Sequence, residues 1–284
     1  MPNPYFIFYE ISLYLQLAVC LPHVWKHGRA NLSRLFVGIV FGVLLELATI
    51  RQLHAYEYGH FLLMVLDVPL GIGVAWGCIL YSVMEFSDAS SLPYFLRPIL
   101  DGLLALNIDL SLDAVAIRFG FWDWGQGLHF QYFGVPYANF WAWFWVIFFF
   151  SLGYRFFARR QDWIGAWLSP IAGLILGLLG VFGTNALIAY GISFALHGFT
   201  VLVLLTIAIG IVLARRPRFD QSIVPSLSFW VPFITHIYIL IAGVISGLIF
   251  DPPFLLFAGL SMTIIALYLH RPMLNQILQS INHR

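Results

Sequence analysis

The sequence has very little charge. Only 10% of its 284 residues are Asp, Glu, Lys or Arg, and the two signs nearly cancel to a net +1. No nucleic acid or other polyanion is therefore expected as a partner. Cysteine is as scarce. Cys20 and Cys78 both lie inside apolar runs, so neither a disulfide framework nor a Cys-rich metal site is expected. The start, "MPNPYFIFYE", lacks a basic region and a small-residue cleavage site, and it reads as the beginning of a first span rather than a signal peptide. A P-loop is missing, as is a GxGxxG followed by soluble βαβ patterning.

What is present is apolar. Hydrophobic residues make up 61% of the chain, and the mean hydropathy is +0.88. The runs are continuous, not the short alternating segments of an outer-membrane barrel. Each membrane span takes roughly 20 mostly apolar residues. The expectation is an all-α, polytopic integral membrane bundle forming a single transmembrane domain over 1–284. Nine spans can be drawn, at about 5–22, 33–53, 61–83, 93–118, 137–157, 163–182, 191–213, 225–249 and 253–270. With the N-terminus outside, the inside segments hold Lys26, Arg29, Arg34, Arg97, Arg155, Arg159, Arg160, Arg215, Arg216, Arg218, Arg271 and Arg284. Only Arg51 and Arg118 are left outside, which predicts N-terminus out and C-terminus in. Gly173, Gly177 and Gly180 predict close helix packing, and Pro69, Pro170 and Pro232 predict kinks within spans. The run "FWAWFWVIFFF" (140–150) fits a lipid-facing belt and a pocket wall equally well.

On this map the carboxylates cluster. Glu10, Glu46, Asp67, Asp109 and Asp113 come from four spans and fall in the outer half of the bilayer, while Asp101 alone is deep toward the inside. Each acid costs roughly 2.5–3.5 kcal/mol near a helix centre, so recurrence at one level predicts a shared polar cavity. Asp109 and Asp113 are four residues apart and share a helix face. Arg118 and Arg51 follow nearby acids in sequence, and a buried ion-pair network that only fixes helix packing is one reading. The acids outnumber the bases, however, so at least one carboxyl is expected to be protonated. A neutral acid beside an ionised one is a general acid/base arrangement. Two outer connections carry polar and aromatic residues. One has His54, Tyr56, Glu57, Tyr58 and His60; the other has Trp122, Asp123, Trp124, His129, Tyr132 and Asn139. Any one of these aromatics is an ordinary interfacial anchor, but their density suggests a shaped lid.

Histidine motifs point elsewhere only weakly. "HVWKH" has one HxxxH spacing, on the basic side and without a second box. His54, His60, His129, His197 and His236 could bind one iron only if the fold converged them.

Two blocks have a distinctive local character: "GVLLELATIRQLHAYEYGHF" running into "DVPLGIGVAWGCILYS", and "LDAVAIRFGFWDW" running into "YFGVPYANFWAWF". Over roughly residues 38–146 the chain resembles the membrane family of carotenoid biosynthesis proteins, which includes cofactor-free hydratases acting on acyclic carotenoid ends. Glu46, Tyr58, Pro69, Trp76, Asp113, Trp122, Trp124, Tyr132, Gly134, Pro136, Asn139 and Trp143 match family positions. The family's Asp-Pro stands here as Asp113-Ala114, and its Gly-Pro before the tyrosine-rich turn is replaced by "HAYEYGH". The resemblance implies hydration of a terminal C=C of a carotenoid or other polyisoprenoid, among membrane lipids, in the cytoplasmic membrane of a prokaryote. It implies no cofactor and no metal. The expected catalytic residues are Glu46, Asp109, Asp113 and Asp67. The expected substrate-binding residues are His54, Tyr58, Trp76, Arg118, Trp122, Trp124, Tyr132 and Asn139. Two alternatives stand beside it: a proton- or cation-coupled transporter or lipid-binding protein, and an iron-dependent polyene oxygenase.

Overall fold

The computed structural model describes residues 3–158, 162–220, 223–271 and 273–274. Among these the chain forms nine α-helices: α1 (Pro4–His27), α2 (Arg29–Leu53), α3 (Leu70–Asp88), α4 (Arg97–Ala116), α5 (Tyr137–Phe157), α6 (Trp163–Ala186), α7 (His197–Arg215), α8 (Leu227–Ser246) and α9 (Phe254–Leu269). The expected helical membrane bundle is what the chain builds. Seven helices are long and apolar enough to cross a membrane. The other two are α9, apolar but only 16 residues long, and α4.

The helix that fails the apolar criterion is central. On α4, Leu104, Leu106, Asn107, Asp109 and Ala114 point in different directions, and all are buried. It packs against α3, α5, α7, α8 and α9. A helix surrounded by protein does not face lipid, so it can carry polar side chains that an outer helix cannot. The outer helices show the reverse pattern. On α6 and α7, Ile175, Leu179, Leu202, Ile209 and Leu213 are exposed, as a lipid-facing surface requires. Close packing at Gly173 follows the expectation: a Cβ there would lie 2.8 Å from the Phe150 carbonyl oxygen on α5.

The third span differs from its expected bounds. Residues 61–69 are not helical. Met64–Val65 (β2) and Val68–Pro69 (β3) form a small antiparallel hairpin with Leu66 and Asp67 at its tip. Pro69 therefore precedes α3 rather than kinking it. A proline has no N–H to give to a helix or a ladder, and here it closes the hairpin and begins the helix.

Some of the basic residues assigned to the inside from the sequence also hold the bundle together. Arg34 and Arg155 are helix-borne and buried. Arg155 pairs with Asp101 at 3.1 Å and with Asp88, Arg97 reaches Asp88 at 2.9 Å, and Arg34 pairs with Glu85. Asp101 is therefore matched by a cation and held by Ser151 at 2.6 Å. Arg159, Arg160 and Arg284, from the same inside set, lie outside the described residues.

Candidate functional site

The site is built on a close crossing of α2 and α3. A Cβ on Gly42 would lie 2.4 Å from Cβ of Trp76, so only glycine admits this approach. Glu46 is one turn further along α2. The crossing brings the Trp76 indole to it, and Trp76 Nε1 donates to Glu46 Oε1 at 2.6 Å. Next the chain reverses. His54 ends α2 in the left-handed conformation (φ 48°), and the segment beyond returns toward the bundle. Tyr58 donates its hydroxyl to Glu46 Oε2 at 2.8 Å, and Tyr56 donates to the same oxygen. Burial, and then the Glu46 carboxylate, push both phenols well above their ordinary range, so they remain donors. Glu46 thus accepts from three protein donors and faces no cation among its described partners. Donors of this kind favour the ionised form of a carboxyl group.

The two polar-aromatic connections are joined. Glu57–Tyr58 (β1) pairs antiparallel with Trp122–Asp123 (β4), and Gly59 N–H donates to Phe121 O at 2.9 Å. A Cβ on Gly59 would fall 2.5 Å from the Gly120 carbonyl oxygen, so this contact too depends on a missing side chain. The ladder carries Trp122 and Trp124 over the acids.

On the opposite wall, Asp109 and Asp113 share one face of α4, as their spacing predicts. One amide serves both: Asn139 Nδ2, at the start of α5, lies 3.1 Å from Asp109 Oδ2 and 2.7 Å from Asp113 Oδ2. Asp109 Oδ1 is buried with no partner among the described residues. One turn past Asn139, the Trp143 ring stacks obliquely on Trp76, with centroids 4.3 Å apart. The aromatic run is thus a pocket wall at Trp143.

These side chains enclose a cavity of about 50 Å³, room for a few water molecules. Glu46 and Asp113 both line it, with Trp76, Trp122, Trp124, Trp143, Tyr9, Tyr56 and Tyr58. It therefore combines two carboxylates in different hydrogen-bonding states with an aromatic enclosure. Such an enclosure can hold an apolar end group and stabilise positive charge on it.

Not every expected residue is here. Asp67 is at the hairpin tip, half exposed, and pairs with Arg51 at 2.7 Å. The hairpin replaces the helical turn that would have carried it inward. Arg118 donates to the carbonyls of Ala114 and Phe133 at 2.7 Å and of Asp251 at 2.8 Å. Its guanidinium clamps backbone instead of pairing with the acids, so neither Arg51 nor Arg118 neutralises the cluster. Tyr132 donates to Leu110 O at 3.0 Å and braces the second connection. His54 is exposed and borders a separate, polar depression with Glu57 and Asp123. Glu10 accepts from the backbone N–H of Leu62 and Leu63 and pins the hairpin. Among the described residues no group of three or more His, Cys, Asp or Glu is placed to hold a metal ion. His236 is instead taken up by Ser111 and Asn107.

Tyr9 and Tyr56 line the cavity without having been expected there. Tyr56 was visible only as part of a polar loop. Tyr9 is one of 13 tyrosines, in an apolar helix with nothing to mark it.

No curated protein matches this chain, and no solved structure matches it. A family model described as carotenoid biosynthesis protein matches residues 8–213, beyond the two resembling blocks on both sides and across every residue that lines the cavity. The chain thus belongs to the carotenoid biosynthesis protein family, with a role in making carotenoids.

Proposed function

We propose that this protein is a membrane-embedded hydratase that adds water across a terminal C=C of an acyclic carotenoid end. The observation that carries the reading is the unequal pair of walls: Glu46, saturated by three donors, faces the cavity with Asp113, whose amide donor Asn139 is shared with Asp109.

Each group has a task. Two carboxylates that share a single amide and meet no cation are held together by one proton between them. That proton is transferred from Asp113 to the less substituted alkene carbon. The C=C π pair becomes the new C–H bond and leaves a tertiary cation. The faces of Trp76, Trp122, Trp124 and Trp143 surround the cation, and Glu46 stabilises it by charge. Water in the cavity attacks the cation through oxygen and gives up a proton to Glu46. The proton passes back to the aspartate pair before the next turnover. The sum is one water added, with no oxidation or reduction.

Membranes containing the protein and an acyclic polyene should yield a product heavier by one water. Asp113→Asn and Glu46→Gln should each lower the rate by about 10²–10⁴-fold, the usual contribution of general acid/base catalysis. Full conversion by both variants would sink the mechanism. Polyene movement between vesicles without conversion would favour a carrier instead.

A further inference from the structure

Beside the catalytic cavity lies a second, wider space that the hydration chemistry does not use. It measures about 480 Å³, within the range of small-molecule sites. Trp124 and Asn139 belong to the walls of both spaces, so the two are adjacent, with these side chains between them. Phe130, Phe182 and Ile188 make the groove largely apolar. Its rim is the end of α6, where the helix widens into a π-helical turn over Leu187–Gly191. Such turns are rare and are frequently found at functional sites. Around this rim, at the connection from α6 to α7, Leu187, Tyr190 and Phe194 are exposed, so the groove opens among large apolar side chains.

Two polar atoms beside the groove are buried without a partner among the described residues: the Asn185 side-chain oxygen and the Trp124 indole N–H. Both residues line it. One atom is an acceptor that needs a donor, and the other is a donor that needs an acceptor. A hydroxyl is both at once. A plain hydrocarbon is neither, and filling the groove with one would leave both groups desolvated and unpaired, at a cost for each.

We propose that this groove binds an isoprenoid chain carrying a hydroxyl, the chemistry of the hydrated end group. The inference rests on the hydratase reading and extends it. The tertiary alcohol formed in the cavity moves past the Trp124–Asn139 wall and is held by Asn185 and Trp124 on its way to the lipid. The groove therefore prefers product to substrate and helps clear the catalytic cavity.

The test is a binding measurement on the purified full chain in lipid nanodiscs. The probes are an acyclic polyene hydrocarbon and its tertiary alcohol. The alcohol should bind at least about fivefold more tightly, as one satisfied buried pair warrants. Asn185→Leu should remove that preference and leave hydrocarbon binding within about twofold, and Trp124→Phe should remove the preference as well. Asn185→Asp, which keeps an acceptor, should retain the preference, and this variant guards against a merely misfolded Asn185→Leu. Ala189→Trp, on the exposed rim, should weaken both probes. Equal binding of the two probes by the wild type, or an unchanged preference in Asn185→Leu, would overturn the proposal. Asp113→Asn separates the two readings, because it should lose conversion and keep the alcohol preference. A wild type that shows the preference without any conversion would leave the groove standing and remove the hydratase. Conversion without the preference would do the opposite.

Discussion

Glu46 and Asp67 are both acids set among apolar residues, and their surroundings separate them. Glu46 is buried under three donors, while Asp67 is half exposed beside Arg51. An exposed pair is worth about 0–1 kcal/mol, and Asp67→Asn should leave conversion within about twofold of wild type. Tyr58→Phe deletes one hydrogen bond to a buried carboxylate, and conversion should fall about tenfold or more. Rates in reconstituted vesicles check both, and a larger loss in Asp67→Asn than in Tyr58→Phe would contradict the assignment. The two acids looked alike in the sequence because hydropathy reports neighbours along the chain and not partners across it. The same limit applied to Arg51 and Arg118. Each follows an acid by a few residues, yet one reaches Asp67 and the other a set of backbone carbonyls. Asp109 and Asp113 were legible because a spacing of four needs no tertiary information.

At the scale of elements, α5 spans the expected 137–157, whereas α3 begins nine residues later than drawn. The stretch before α3 is as apolar as a helix, and hydropathy cannot tell an apolar hairpin from an apolar turn of helix. Pro69 was the available signal, since a proline is at home just before a helix. The α2–α3 crossing was equally hidden. Glycines at 42 and 77 looked like ordinary helix glycines, but they let the helices approach until Trp76 reaches Glu46. Gly42→Leu should therefore displace Trp76 and lower conversion at least tenfold, with the protein still inserted. Indole fluorescence and conversion, measured together, check this. An unchanged rate would mean that Trp76 is not held by the crossing.

Across the whole molecule, charge is divided between two places with different work. At the end of the bundle opposite the cavity, Arg34, Arg97 and Arg155 bind Glu85, Asp88 and Asp101 into one partly buried network across α2, α3, α4 and α5. Arg155→Leu strands Asp101 without a cation and should destabilise the protein by about 3–5 kcal/mol. Arg155→Leu with Asp101→Leu should recover part of that loss, because an apolar replacement of both partners leaves no buried charge. Thermal midpoints in detergent measure both, and equal midpoints for the single and double variants would refute the pairing.

The central position of α4 also bears on how the protein is made. Spans that leave the insertion machinery meet lipid before they meet one another. Asp101, Asp109 and Asp113 are all on α4, and on insertion scales a mid-helix acid costs roughly 2.5–3.5 kcal/mol. Alone, α4 should be passed over as a loop. With α1–α3 already in place, so that α3 can pack against it, it should be retained. A glycosylation reporter fused behind α4 would distinguish these outcomes, and efficient insertion of α4 alone would refute the idea. The helix that carries Asp109 and Asp113 would then depend on its neighbours for insertion, with α3 made before it and α5, α7, α8 and α9 after it.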